Sequence, residues 1–147
     1  MIKVQIIRLR ERAQVPSYMS VGAAGCDICA CVDDTILISP MERKAIPTGL
    51  ALAIPPGYEI QVRPRSGLSF KKGLTVVNAP GTIDSDYRGE VMVLVVNLGS
   101  EAIEIKHGER IAQLVLQRVD QIQWVEVMEL SNTERGAGGF GSTGVTA

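Results

Sequence analysis

Short runs rich in β-forming residues alternate with turn-forming residues along most of this chain. Such runs, each of three to five residues, lie at residues 35–38, 50–54, 58–62, 74–77 and 103–105. Glycines, prolines and paired aspartates separate them. Many short strands at this spacing predict an all-β fold, built as a sandwich or a barrel.

Three other segments depart from this simple alternation. Residues 91–96 are apolar at every position, which predicts a strand covered on both faces. Residues 66–70 look like one short helical turn that Ser66 caps. Residues 111–130 fit period-2 and helical patterns in part, and we interpret them as strands.

The last residues differ in composition from the rest. We divide the chain into a β domain at residues 1–131 and a glycine-rich arm at residues 132–147. A disordered tail is one interpretation of the arm. It does not explain why Arg135, Phe140 and a Ser-Thr pair stand among the glycines. Close backbone N–H groups, a guanidinium fork and a flat ring suit an arm that folds over a phosphate-bearing ligand.

Composition narrows the class of protein. The chain has 147 residues, 46% of them hydrophobic and 21% charged, which indicates one globular domain with an aliphatic core. This much apolar character in a small chain suggests burial between subunits. The net charge of −1 provides no basic patch for nucleic acid or an anionic membrane. We find no signal peptide and no run of membrane-spanning length, so we expect a soluble, intracellular protein.

The cysteines stand close together, at Cys26, Cys29 and Cys31. A structural zinc site needs four ligands, and the only histidine, His107, has no second Cys pair beside it. The odd count, without a secretory signal, also argues against disulfides. We therefore predict buried, reduced thiols that pack as small apolar residues.

The segment at residues 81–90 carries the densest candidate chemistry. Asp84 and Asp86 flank a serine, Tyr87 follows at once, and glycines close both ends. A polar turn above a buried strand is a common place for a rigid scaffold to present functional groups. The alternative is a plain β-hairpin whose aspartates only form the turn.

Five segments together resemble, in order and spacing, the motifs of the trimeric dUTPases, which hydrolyse dUTP to dUMP and pyrophosphate. They are Ala24-Gly25-Cys26-Asp27-Ile28, Pro64-Arg65-Ser66-Gly67-Leu68, residues 78–88, Gly108-Glu109-Arg110-Ile111-Ala112-Gln113-Leu114 and the glycine-rich arm. The resemblance spans residues 24–144. It implies a distorted jelly-roll-like barrel with one short helical turn, assembled as a homotrimer that limits uracil incorporation into DNA and supplies dUMP for dTMP synthesis.

The resemblance also implies roles for individual residues. Asp84 aligns with the carboxylate that holds and deprotonates the attacking water, and Tyr87 with the ring that packs on deoxyribose. Asp27 aligns with a carboxylate that contacts Mg²⁺ through water, the metal being held mainly by the substrate phosphates. The remaining substrate-binding positions fall into three groups: Asn78, Gly81 and Met92 for uracil, Arg65, Ser66, Gly67 and Gln113 for phosphate, and Arg135, Phe140, Gly141, Ser142 and Thr143 in the arm.

Other assignments follow from the same comparison. Asp86 is interpreted as a brace of the hairpin, through Arg88, and Arg110 as structural. Each site is expected to draw on three subunits, and the setting to be cytoplasmic, with nuclear and viral settings not distinguished. Two alternatives stay open: a dCTP deaminase or bifunctional relative on the same fold, and a non-catalytic β module that binds nucleotides or a regulatory protein.

Overall fold

The computed structural model describes residues 1–140, and within them the chain forms short strands and one helix. The strands are β1 Gln5–Arg8, β2 Cys26–Cys29, β3 Ile36–Ile38, β4 Arg43–Ala53, β5 Tyr58–Arg63, β6 Leu74–Val76, β7 Gly81–Ile83, β8 Glu90–Asn97, β9 Ile103–Ile105 and β10 Arg110–Arg118. The helix, α1, is Ser66–Lys72. The predicted all-β class with one short helical segment is therefore confirmed.

The strands pair antiparallel in three sheets. The first has the order β1-β4-β8-β6, the second β2-β10-β5-β7, and the small third pairs β3 with β9. Each order is linear, so the described strands make open sheets, and the predicted barrel is not closed within residues 1–140. The core between the sheets is aliphatic and includes Ile28, Ile46, Leu50 and Val93, all with no exposed surface.

Strand β8 is covered unevenly on its two faces within a single chain. Val91, Val93 and Val95 are buried, whereas on the other face Met92 and Leu94 are 37% and 38% exposed and Val96 is buried. The expectation of cover on both faces is thus met only in part by one subunit, because Met92 and Leu94 stay exposed. Two exposed apolar side chains on a central strand mark a surface suited to association.

The cap of helix α1 lies one position earlier than predicted. Arg65 is extended and is the N-cap residue, and its carbonyl accepts from the N–H groups of Leu68 and Ser69. Ser66 is therefore the first helical residue, and the prediction that it caps the helix is wrong. Gly73 ends the helix at a φ of 74°, where a Cβ would lie 2.4 Å from the Gly99 nitrogen.

The chain leaves regular structure earlier than predicted. Strand β10 ends at Arg118, and residues 119–130 contain no strand, contrary to the interpretation of 111–130 as strands. Their side chains are exposed, with Trp124 at 86%, and no described strand lies beside them to complete a ladder. Within residues 1–140 no helix is long and apolar enough to cross a membrane.

The cysteines are unpaired, as predicted, but they are not equally buried. Cys31 is buried, whereas Cys26 and Cys29 are half-buried. Loss of hydration raises the pKa of both half-buried thiols. Protonated thiols are poor nucleophiles, so these two residues should be unreactive near neutral pH.

Asn97, at the end of β8, provides a test of the buried polar interactions. Its Nδ2 donates to the carbonyls of Ile38 (2.9 Å) and Glu101 (2.7 Å), and its Oδ1 accepts from the Gly99 N–H (2.8 Å). We expect Asn97→Ala to lower the free energy of unfolding by about 3 kcal/mol, because these buried groups lose their partner. Urea denaturation at fixed protein concentration measures this. Ser100→Ala, at an exposed neighbour, should change stability by less than about 0.5 kcal/mol; equal effects would contradict the assignment.

Candidate functional site

A cleft of about 230 Å³ gathers five of the residues singled out in the sequence. Its lining includes Asn78, Gly81, Asp84, Tyr87 and Met92. Strands β7 and β8 and the loop that joins them form this cleft, and β5 closes it from below through Val62. Residues 78–92 therefore converge on one small concave surface. The predicted β-hairpin does not form within the described residues, because β7 pairs with β5 whereas β8 pairs with β4 and β6 in another sheet.

Local contacts explain the shape of the cleft. At Gly81 a Cβ would lie 3.0 Å from Asn78 Nδ2, so glycine allows the amide to lie over the start of β7. The Tyr87 N–H donates to the Asp84 carbonyl at 3.2 Å and closes the turn between the strands. This turn leaves the Asp84 side chain exposed at the mouth of the cleft.

Arg88 braces the loop, but not through Asp86. Its Nη1 donates to the carbonyls of Ser85 (2.7 Å) and Tyr87 (2.8 Å). Within the described residues Asp86 has no ion pair and its side chain is exposed. The predicted Asp86–Arg88 brace is thus replaced by contacts from the guanidinium to backbone oxygens.

A second cluster forms around the carboxylate of Asp27, whose side chain is 3% exposed. Arg110 Nη1 lies 3.0 Å and Arg65 Nη2 lies 3.5 Å from Oδ2, and Gln113 Nε2 donates to Oδ1 at 3.0 Å. Arg65 Nη1 also donates to the Arg110 carbonyl at 3.1 Å. One buried carboxylate thereby joins its own segment to the two segments predicted to bind phosphate.

The charge of this second cluster favours anions. Two guanidinium groups surround one carboxylate, so the cluster carries a net positive charge. Ser66 and Gly67 lie exposed at the start of α1, directly after Arg65. Guanidinium forks and free N–H groups are the donors that phosphate oxygens accept best.

The two clusters lie at opposite edges of the same sheet. Asp27 is in β2 and Gly81 is in β7, with β10 and β5 between them. Three strand spacings separate the edges, which is roughly 14 Å at about 4.8 Å each. The structure thus groups the nucleoside-type residues and the phosphate-type residues separately.

The described part of the arm, residues 132–140, makes no hydrogen bond or ion pair with either cluster in the single chain. Arg135 Nε donates to the Gly138 carbonyl at 2.8 Å, and Phe140 is fully exposed. The predicted residues Gly141, Ser142 and Thr143 lie outside the described residues.

The described residues contain no protein cage for a metal: residues 1–140 include no group of three or more His, Cys, Asp or Glu side chains placed to bind one. Asp27 is the acidic residue nearest the phosphate-type donors, and both its oxygens already accept hydrogen bonds. A carboxylate offers about four lone-pair sites, so a water could still donate to it. This donor set fits a metal held chiefly by ligand oxygens and water.

Sequence reasoning missed the contacts that support the two clusters. Arg110 was taken as structural, and its bond to Asp27 joins residues 83 positions apart. Glu90 lines the cleft beside Tyr87, and it was not singled out. The glycine-glutamate pair that follows the hairpin was the one visible signal for Glu90.

Comparisons with known proteins agree with this geometry. The sequence profile of the dUTPase family matches residues 11–144. The chain is 63% identical to the deoxyuridine 5'-triphosphate nucleotidohydrolase of Desulfotalea psychrophila, over 94% of this chain and 92% of that protein. It is 30% identical to a solved dUTPase of Staphylococcus bacteriophage 80alpha with dUpNHpp, at a TM-score of 0.86 over 97% of this chain and 99% of that chain. A mutant dUTPase of phage phi11 of S. aureus, 25% identical with a TM-score of 0.77 over 88% of this chain and 99% of that one, is described with a structural Mg(II) ion.

The Asp27 cluster predicts a stability effect that surface ion pairs lack. We expect Asp27→Ala to lower the free energy of unfolding by about 2 kcal/mol, since it leaves two guanidinium groups together without their counter-charge. The value is below that of a fully buried pair because Arg65 and Arg110 are partly exposed. Asp33→Ala is the matched control, since Asp33 is 85% exposed and lies 4.0 Å from Arg10 and Arg12. Its loss should cost less than about 1 kcal/mol, and denaturant titration of both variants compares them.

Proposed function

This chain belongs to the dUTPase family, and from that premise we propose how its residues hydrolyse dUTP to dUMP and pyrophosphate. The observation that carries the proposal is the cleft in which Asp84 and Tyr87 share one mouth. The proposed base that activates the attacking water and the proposed ring that packs on the sugar are then adjacent. The pyrophosphate released from dUTP in the presence of Mg²⁺ tests the activity directly, with dCTP as the comparison that detects a deaminase.

Asp84 is the proposed general base. Water is a poor nucleophile at neutral pH, and an ionised carboxylate at the cleft mouth can orient it and accept its proton. The exposed side chain of Asp84, at the start of the turn between β7 and β8, is open to a phosphorus atom that lies outside the cleft. Attack on the α-phosphorus in line with the leaving pyrophosphate then yields dUMP.

Tyr87 and the backbone around the cleft are proposed to select the nucleoside. The ring, 47% exposed, offers a flat face at which a deoxyribose packs and a 2′-hydroxyl does not fit. Uracil enters the cleft bounded by Asn78, Gly81 and Met92. Backbone donors and acceptors there match its polar edge, and a small cleft leaves no room for the thymine methyl group.

The phosphates are proposed to bind at the Asp27 cluster. Arg65 and Gln113 are held in place by the same carboxylate, and Ser66 and Gly67 add a hydroxyl and N–H groups at the start of α1. Asp27 thus acts mainly by orienting these donors, with a contact to metal-bound water as its second role. When Mg²⁺ is bound with the substrate, it neutralises charge on the phosphate oxygens.

A homotrimer with shared sites is the proposed assembly. Within one chain Asp27 and Gly81 lie on strands at opposite edges of a sheet, and Met92 and Leu94 on β8 are exposed. Joining the loop between β7 and β8 of one subunit to the phosphate cluster of another would complete the site beside the cleft that Met92 and Leu94 line. We place the enzyme in the cytoplasm, because its substrate is a free nucleotide.

The arm, residues 132–147, is proposed to close over a site formed by other subunits. Arg135 would then donate to the phosphates, Phe140 would lie on the uracil ring, and Gly141, Ser142 and Thr143 would lie near the γ-phosphate. Support comes from the exposure of Arg135 and Phe140 in the single chain. Closure would exclude water and strengthen each electrostatic contact in the site.

Asp84→Asn tests the base. We expect kcat for dUTP to fall by about 10²- to 10⁴-fold, because the amide cannot accept the proton of water. The affinity for dUTP, measured by calorimetry, should change little, since size and shape are kept. Asp86→Asn is the matched control on the same loop and should leave kcat near its original value. A near-normal kcat in Asp84→Asn would exclude the assigned role.

Removal of residues 132–147 tests the arm. Turnover should fall by at least about 100-fold, because donors to the developing phosphate charge and the lid over the base are both lost. Light scattering should still report a trimer, since the last strand of the described sheets ends at Arg118, before the arm begins. An unchanged rate would show that the arm is a tail without function, and a stable, active monomer would contradict the shared-site assembly.

A further inference from the structure

A bulge in β4 faces the start of β8, next to the loop that carries Tyr87. Pro47 pairs with Met92, and the next pair is Ala51 with Glu90. Three residues of β4, numbers 48–50, therefore lie opposite one residue of β8, Val91. Ordinary ladder hydrogen bonds are interrupted over this stretch.

Two side-chain hydrogen bonds replace the missing ladder bonds. Thr48 Oγ1 donates to the Val91 carbonyl at 2.6 Å, and the Gly49 N–H donates to Glu90 Oε1 at 2.7 Å. Thr48 has no exposed surface, and it does not line the cleft. The first two residues of β8 are thus held by the bulge: the Gly49 N–H binds the side chain of Glu90, and the Thr48 hydroxyl binds the backbone of Val91.

The bulge is itself rigidly held from behind. Gly49 adopts a φ of +69°, and a Cβ there would lie 2.9 Å from Ala13 Cβ and 3.0 Å from Cys31 Sγ. Its carbonyl accepts from the Leu9 N–H at 2.7 Å. Neither the conformation nor the space at Gly49 admits a side chain. The backbone there is therefore fixed, and so is the N–H that donates to Glu90.

The Tyr87 ring rests on the backbone that the bulge holds. Its Oη donates to the Glu90 carbonyl at 3.0 Å. A Cβ on Gly89 would lie 2.4 Å from Oη and 2.6 Å from Cζ, so the ring lies directly against the Gly89 backbone. A side chain on an exposed loop is thereby fixed through two contacts to the start of β8.

We propose that Thr48 and Gly49, which are remote from the substrate, are positioning residues for sugar selectivity and act through Glu90 and Val91 on the Tyr87 ring. The inference rests on the proposed role of Tyr87 at the deoxyribose. Selectivity by exclusion of a 2′-hydroxyl needs a ring that cannot move aside by even the width of an oxygen atom. The bulge provides that restraint, and the loop between β7 and β8 by itself does not.

The test compares kcat/KM for dUTP with kcat/KM for UTP in Thr48→Val and Thr48→Ser. We expect the dUTP/UTP ratio to fall by about tenfold in Thr48→Val, because the Val91 carbonyl loses its donor. Thr48→Ser keeps the hydroxyl and should restore the ratio. A loss of folded protein lowers both rates equally, so the ratio is insensitive to a merely structural defect.

Discrimination against dTTP serves as the internal control. It depends on the base cleft, and it should be unchanged in Thr48→Val. If the dUTP/dTTP ratio falls as far as the dUTP/UTP ratio, the variant loosens the whole cleft and the inference is overturned. An unchanged dUTP/UTP ratio in Thr48→Val also overturns it.

Two further variants separate this inference from the proposed function and do not depend on the folding of Thr48→Val. Tyr87→Phe removes only the hydrogen bond to Glu90 and should lower the dUTP/UTP ratio about as far as Thr48→Val does. The double variant Thr48→Val with Tyr87→Phe should then lower the dUTP/UTP ratio little more than either single variant, since both act through the same ring; additive losses contradict the inference.

If Tyr87→Ala keeps the original ratio, the proposed sugar contact fails and the inference fails with it. A lowered ratio in Tyr87→Ala beside original ratios in Tyr87→Phe and Thr48→Val overturns the inference alone.

Discussion

The antiparallel pairing of β4 with β8 is the interaction on which both the fold and the site depend. These strands are the two central members of the first sheet, and the inward side chains of β8, such as Val93, belong to the core. The same strand begins at Glu90, so its register also decides where the preceding loop stands. A shift of one residue would turn the buried valines outward and move Asp84 and Tyr87 together. The register of β8 therefore determines both the packing of the core and the positions of Asp84 and Tyr87.

The buried carboxylate of Asp27 adds a second, electrostatic constraint. An unpaired buried charge costs several kcal/mol in order of magnitude, so Asp27 is tolerable only with its donors in place. Those donors come from the loop before α1 and from β10, which are distant in sequence but adjacent in the fold. An apolar residue could serve stability there equally well. In the proposed site, an apolar residue could not orient Arg65 and Gln113 toward the phosphates, as the Asp27 carboxylate does.

Sequence patterns predicted elements where the local pattern decides the structure, and failed where a distant partner decides it. The short runs rich in β-forming residues predicted the all-β class. The motif residues share one cleft, which is lined by Asn78, Gly81, Asp84, Tyr87 and Met92. Strand β4, however, begins at Arg43 and continues through Pro47 and Gly49, because its neighbours supply the pairing and the bulge absorbs the irregular residues. Residues 119–130 are the converse, apolar enough for a strand yet without a partner in the described chain. The Asp27–Arg110 contact leaves no periodic signal at all.

The same face of β8 carries both an association surface and part of the binding cleft. Met92 and Leu94 both line the cleft, and they are also the exposed apolar side chains on this face of β8. In the trimer proposed here, covering that face removes water from around the cleft and brings a second subunit close to Asp84. Electrostatic contacts between a carboxylate, phosphates and guanidinium groups strengthen as water leaves. Association would therefore do more than add missing residues: it would create low-dielectric surroundings for the exposed Asp84 and for the partly exposed guanidinium groups of Arg65 and Arg110, which a single chain does not provide.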